Sequence, residues 1–306
     1  MREDGPVSPA DVTLRADDLE ARWVPGAGMV GASLRHRGRE LLGLRGGLDA
    51  YASRGSTFGI PLLHPWANRL GGFSYRAAGV DVALDATTPR LHTEEHGLPS
   101  HGLLAAYPGW VVRHADPGLL RAEADLGADP GIMEAFPFPH RLAMEVALAP
   151  GRLTVTTTLT PTSERPVPIS FGFHPYLALP GVAREDLVLR HGPMTHLTLD
   201  DRKLPDGGRE PVPARDAPLG GETLDDAYAD LGPEPAFALA GGRRLVTVRF
   251  LEGFTHLQLF APPGTPTVAI EPMTAPCNAL RTGDGLRLAT EPFTAAFAID
   301  VDEHRP

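Results

Sequence analysis

Residues Arg141-Leu-Ala-Met-Glu-Val-Ala-Leu148, then Ala149-Pro-Gly, then Arg152-Leu-Thr-Val-Thr-Thr-Thr-Leu-Thr160, carry the pattern that decides the fold. Leu142, Met144, Val146 and Leu148 fall on every second position. An extended chain places all four on one face, because successive side chains of a strand point to opposite sides. The second segment is rich in β-branched residues, which pack well on a pleated surface. Pro150-Gly151 leaves a break of hairpin length between them.

The same two-residue period recurs at 121–126, 245–251 and 294–301. Turn signals separate these segments: Asp116-Pro-Gly118, Ala240-Gly-Gly-Arg243 and Glu252-Gly253. The 34 glycines and 32 prolines among 306 residues fit many tight turns between short strands. Helical periodicity over ten or more residues is hard to find, and no repeat suggests a propeller or solenoid. Residues 200–224 are rich in Gly, Pro and charge, and read as a long surface excursion. The predicted architecture is all-β: a large antiparallel β-sandwich in one domain spanning 1–306.

The net charge of −10 argues against a nucleic-acid backbone as partner. No apolar run approaches the roughly 18 residues of a membrane span, and Met1 to Pro6 has none of the features of a signal peptide. A single cysteine, Cys277, excludes an intrachain disulfide and fits a reducing compartment. The expectation is a cytoplasmic protein, monomer or homodimer, with a neutral small molecule as partner.

Four clusters carry chemistry. In Gly59 to Arg69, Trp66, Asn68 and Arg69 bring an aromatic face, an amide and a forked donor together. A sugar needs that mixture, although a core Trp66 explains the stretch equally. His96-Gly-Leu-Pro-Ser-His101-Gly, followed by Trp110, lacks the third ligand that zinc requires, so no metal is expected. Phe171-Gly-Phe-His174-Pro-Tyr176 sets one histidine in apolar surroundings, with Pro175 forcing an extended backbone. His174 can donate a proton near neutrality, or be a satisfied core histidine. Val268-Ala-Ile-Glu271-Pro-Met-Thr274 ends an apolar run in a carboxylate, which must be exposed, paired or functional. Leu224-Asp-Asp-Ala-Tyr228 is a lesser feature, either an acidic sugar contact or a helix start.

Taken in order, these clusters resemble the aldose 1-epimerase (galactose mutarotase) family. Asn68-Arg69, His101-Gly-Leu with Trp110, His174-Pro-Tyr, Leu224-Asp-Asp-Ala-Tyr and Glu271-Pro-Met-Thr with Pro276 and Asn278 match its segments over roughly residues 19 to 300. The resemblance is to a divergent branch. It implies the galactose mutarotase-like supersandwich, with His174 as general acid and Glu271 as general base. Arg69, His101 and Asp225 would hold sugar hydroxyls, with Asn68 and Trp66 beside them. His96 rivals His101, Asp226 rivals Asp225, and Gln258 has no motif to place it.

The implied reaction interconverts the anomers of a free hexose by ring opening and closure, and needs no cofactor. His174 and Glu271 are then expected at strand ends, facing each other across a pocket wide enough for a sugar ring. The acid limb of activity would follow the carboxylate and the alkaline limb the imidazolium. Rivals are a hexose-6-phosphate 1-epimerase using Arg54 and Arg90, a glycosidase using Glu271 and Asp225, and a non-catalytic carbohydrate-binding protein.

Overall fold

The alternating stretch 141–160 becomes the centre of a nine-stranded sheet in the computed structural model, which describes residues 11–303. Strands His140–Ala149 and Arg152–Pro161 pair antiparallel in register from Ala149–Arg152 to His140–Pro161. Leu142, Met144, Val146, Val155 and Leu159 are fully buried, as their period requires. Outward on one side lie Leu119–Asp125 and Val111–Ala115. On the other lie Phe293–Glu303, Arg244–Glu252, Ala236–Gly241, Val188–His191 and Arg215–Pro218. Every pairing in this sheet is antiparallel.

An eight-stranded antiparallel sheet forms the second layer. Its order runs Pro205–Val212, Met194–Leu199, Leu224–Ala229, His256–Ala261 and Thr267–Met273, which then pairs with both Gly172–Phe173 and Tyr176–Ala178. Leu62–Leu63 closes the far edge. Phe173 of this sheet packs on Phe297 of the other at 5.0 Å between ring centroids, with Phe254 between the layers. Both sheets therefore bury their apolar faces in one core, as a β-sandwich must. A four-stranded sheet, beginning at Val12–Ala16, packs against the nine-stranded one.

Helices are few and short: Gly47–Arg54, Pro130–Ala135 and Ala279–Thr282. None among the described residues is long and apolar enough to cross a membrane. The reading of Met1 to Pro6 lies outside the described residues.

Two local expectations are corrected. Residues 200–224 are at the surface, but they contain Pro205–Val212 and Arg215–Pro218, one edge strand for each large sheet. An edge strand needs only one partner and tolerates Pro, Gly and charge, so its sequence does not alternate. Leu224-Asp-Asp-Ala-Tyr228 lies in a strand rather than starting a helix.

Candidate active site

The break between Gly172–Phe173 and Tyr176–Ala178 creates the site. Both short strands pair with Thr267–Met273, and His174-Pro175 bridges the gap between them. Pro272 sits opposite this gap. Ile270 N–H donates to Pro175 and Thr274 N–H to Phe171, so the N–H that proline lacks falls where the ladder is already interrupted. Glu271 consequently lies inside its strand, not at its end as the following proline suggested. His174 does lie at a strand end.

His174 and Glu271 touch. His174 Nε2 is 3.1 Å from Glu271 Oε1, with both side chains almost wholly buried. The expected sugar-wide separation is not there. Burial, reinforced by the nearby His101 and Arg45, holds the His174 imidazole well below its usual value. Burial and the Asp225 charge push the Glu271 carboxyl well above its own. Both shifts favour the uncharged forms, a neutral imidazole beside a protonated carboxyl. His174 Nδ1 and Glu271 Oε2 are buried without a hydrogen-bond partner among the described residues.

The histidine is fixed from all sides. Its ring stacks on Tyr176 at 4.2 Å and meets His101 edge-on at 5.5 Å and Phe260 at 5.9 Å. The Tyr176 hydroxyl lies 3.2 Å from Nε2, receives a hydrogen bond from Arg45 Nη1 at 2.7 Å and contacts Thr57 Oγ1 at 2.7 Å.

Arg69 anchors the opposite wall. Its Nε donates to Glu94, Nη1 to Asn68 Oδ1 and Nη2 to Asp225 Oδ2, all at 3.0–3.1 Å. Gln258 Nε2 donates to the other Asp225 oxygen at 2.7 Å, from the neighbouring strand. Glu94 is held in turn by the N–H groups of His96 and Leu98. The segment that carries Arg69 is laced to the one that carries His101. His101 N–H donates to Asn68 O, Leu70 N–H to Pro99 O and Leu103 N–H to His64 O. Gly102 makes this approach possible: a Cβ there would stand 2.2 Å from His64 O, and its φ is +70°. Burial and the Arg69 charge push the His101 imidazole down to about 4, so it is neutral at physiological pH.

These residues line one cavity of about 420 Å³, inside the roughly 300–1,000 Å³ typical of small-molecule sites. Asn68, Arg69, His101, His174, Asp225 and Glu271 all reach it. Trp66 does not. It is fully buried in the core, and its backbone bridges to Ser170, so the aromatic surface of the cavity comes from Phe260, Tyr51 and Tyr176. Trp110 is likewise in the core. His96 is exposed in a turn outside the cavity, whereas His101 is in it. Asp226 points the other way, toward His196 at 3.5 Å, because neighbours on a strand face opposite sides.

Glu94, Thr57 and Phe260 carried no signal in the sequence. Glu94 stands in the charged run Thr93-Glu-Glu-His96, which reads as solvated surface until Arg69 is placed beside it. Glu94, Glu95 and His96 also bring ligand atoms within 4.8 Å of one another. The Glu94 oxygens, however, are already engaged by Arg69 and by backbone N–H groups. Of the two arginines considered for a sugar phosphate, Arg54 lines the cavity. Arg90 is spent elsewhere, on Leu103 O, Asp129 and the Tyr107 ring.

Solved structures share this fold. The chain matches the Slr1438 protein of Synechocystis sp. PCC 6803 at 21% identity, with a TM-score of 0.78 over 99% of both chains. A putative aldose 1-epimerase of Escherichia coli K12 matches at 17% identity and a TM-score of 0.76, over 96% of this chain and 99% of that one. A galactose mutarotase-like protein of Clostridium acetobutylicum matches at 15% and 0.80, over 96% and 95%. No curated protein matches by sequence comparison. The sequence model of aldose 1-epimerase, however, matches residues 25–289, a span that holds every polar residue of the cavity. Fold, cavity and matched span thus point one way, and the chain belongs to the aldose 1-epimerase family.

Proposed function

We propose that this protein is an aldose 1-epimerase, a cofactor-independent isomerase that interconverts the α and β anomers of a free hexose. The observation that carries this reading is the buried His174–Glu271 contact of 3.1 Å at the edge of a polar cavity. Anomer exchange requires the anomeric hydroxyl to lose a proton and the ring oxygen to gain one. Both oxygens are bonded to the same carbon, so the groups that serve them need be only a few ångströms apart. A pair in contact that shares one proton suits this better than two groups separated by a whole ring.

When a sugar edge enters between the two side chains, the proton passes from Glu271 to His174 and leaves a carboxylate on Glu271. Glu271 then takes the anomeric proton and His174 protonates the ring oxygen. The ring opens, the aldehyde turns, and the reverse transfers close it on the other face. Arg69, Asp225 and His101 supply donors and acceptors for the remaining hydroxyls, with Asn68 beside them, and Phe260 offers a flat apolar face. Their mutual hydrogen bonds fix them before the sugar arrives, which lowers the ordering cost of binding.

Polarimetry of freshly dissolved α-glucose and α-galactose tests the reading. The protein should accelerate the approach to anomeric equilibrium. Binding of either sugar without acceleration would identify a carbohydrate-binding protein instead.

A further inference from the structure

We propose that Arg45 is a positioning residue for the reaction: acting through Tyr176, it holds the His174 ring beside Glu271, and its fixed charge makes that ring a stronger acid. This rests on the epimerase reading, which gives His174 a proton to donate.

Arg45, Tyr176 and His174 form a chain of contacts. Arg45 Nη1 donates to the Tyr176 hydroxyl at 2.7 Å, and its guanidinium carbon is 5.1 Å from the centre of that ring. The Tyr176 ring stacks on His174 at 4.2 Å with 20° between the planes, and its hydroxyl is 3.2 Å from His174 Nε2. Thr57 Oγ1 contacts the same hydroxyl at 2.7 Å. The backbone is committed to this arrangement. Arg45 has a φ of +42°, a left-handed conformation that glycine adopts freely and arginine does not. Gly46 and Gly47 follow it, yet this position carries an arginine. Strain of this kind persists where the surroundings hold it, and here the loop is docked on Tyr176 itself: Gly43 N–H donates to Tyr176 O.

The other groups that face His174 carry little net charge. The Glu271 carboxyl and the His101 imidazole are both pushed toward their uncharged forms, Arg69 is paired with Glu94 and Asp225, and Phe260 is apolar. Arg54, His92 and Glu95 also line the cavity, but none of them is bonded to Tyr176 or His174 among the described residues. Burial is the main reason that the His174 imidazole sits below its usual value, and His101 and then Arg45 add to it. A guanidinium cannot give up its charge, so Arg45 opposes an imidazolium at every working pH. The proton therefore rests on Glu271 until a sugar enters. The imidazolium formed then gives it up more readily to the weakly basic ring oxygen.

Arg45→Gln and Arg45→Lys test this. Arg45 is exposed, so neither substitution empties the core. The acid limb of kcat/KM for anomer exchange reports the uptake of a second proton by the pair, on His174. In Arg45→Gln this limb should move up by about one pH unit, the effect of removing a charge two hydrogen-bond steps away. The kcat should fall severalfold, with KM almost unchanged. Arg45→Lys keeps the charge and should keep the limb in place. A limb unmoved in Arg45→Gln, or moved as far in Arg45→Lys, would overturn the proposal. So would a rise in KM with kcat unchanged, which would make Arg45 a sugar ligand. The His174 ring signal, assigned with His174→Asn and titrated by NMR without sugar, separates the two readings. A signal that titrates alike in the unsubstituted protein and in Arg45→Gln, with normal anomer exchange, defeats the role of Arg45 alone. A signal shifted in Arg45→Gln, with no exchange of any sugar by the unsubstituted protein, defeats the epimerase reading and leaves the hold of Arg45 on His174 standing.

Discussion

Glu271 and His174 behave as one titrating unit, and this revises the expected pH dependence. As pH falls through the lowered histidine value, somewhere below 6.5, the pair gains a second proton and no carboxylate is left. As pH rises through the raised carboxyl value, well above 4.5, the pair loses its only proton and no acid is left. The acid limb of kcat/KM should therefore follow histidine and the alkaline limb the carboxyl, the reverse of the order that unperturbed values suggest. Glu271→Gln keeps side-chain size and should cost about 10²- to 10⁴-fold in rate while removing the alkaline limb. Polarimetric rates, corrected at each pH for spontaneous exchange, measure both. An alkaline limb unmoved by the substitution would assign it to another group. Arg69→Lys is a second test at this scale. One ammonium cannot serve Glu94, Asn68 and Asp225 from three fixed directions. KM should rise roughly tenfold or more, since a lost hydrogen bond to a charged group is worth about 1.5–3 kcal/mol. An unchanged KM would make Arg69 a purely structural residue.

At the level of strands, the site depends on alternation between neighbours. Asp225 reaches the cavity and Asp226 does not, because they are immediate neighbours on the strand Leu224–Ala229 and face opposite sides. Gln258, on the adjacent strand His256–Ala261, is buried and holds Asp225 from behind. Gln258→Leu should leave Asp225 short of one partner and raise KM severalfold, the equivalent of about 1 kcal/mol, with a smaller change in kcat. Steady-state kinetics on the variant checks this split, and a fall in kcat alone would contradict it. The segments that follow Leu62–Leu63 and precede strand His140–Ala149 meet deeper in the core. His64 Nε2 is 2.8 Å from His140 Nε2, against Phe136 and Phe171. His140 Nδ1 donates to Phe138 O, so its Nε2 accepts and His64 donates. Burial keeps His64 well below its usual value and pushes His140 down to about 4. The unfolded chain would protonate both near 6.5, so the stability present above that value is lost as pH falls toward 4. Thermal unfolding across this window should show the loss. A double variant, His64→Leu with His140→Leu, should flatten the slope, because neither titrating imidazole is left.

For the molecule as a whole, the core between the two large sheets holds an aromatic cluster among its aliphatic residues. Phe173, Phe254 and Phe297 form a triangle with centroid distances of 5.0–6.3 Å, directly behind the strand end that presents His174. The layer that stabilises the sandwich therefore also sets the height of the His174–Glu271 pair. Phe297→Ala should cost roughly 3–5 kcal/mol in urea unfolding, the usual range for emptying a core aromatic. Activity should fall as well, since the floor under Phe173 and His174 would relax. A stable variant with full activity would mean that the sheets are held apart by other contacts.

The sequence alone determined what depends on local period and chemistry. Leu142 to Leu148 alternate because one face of that strand is buried, so the sandwich was legible there without coordinates. Five polar clusters in family order brought Arg69, His101, His174, Asp225 and Glu271 onto one page, although up to 202 residues separate them. The tertiary structure alone decided distances and facing. It put His174 in contact with Glu271, because both project from adjacent strands into one break of the ladder. It sent Trp66 into the core and drew Glu94, Phe260, Arg45 and Arg54 to the cavity. Those residues sit on loops, a strand face and a short helix with no motif of their own. Spacing along a chain encodes which face a side chain takes within its own strand. Which strands become neighbours, and how closely their side chains approach, is fixed only when the two sheets close over a common core.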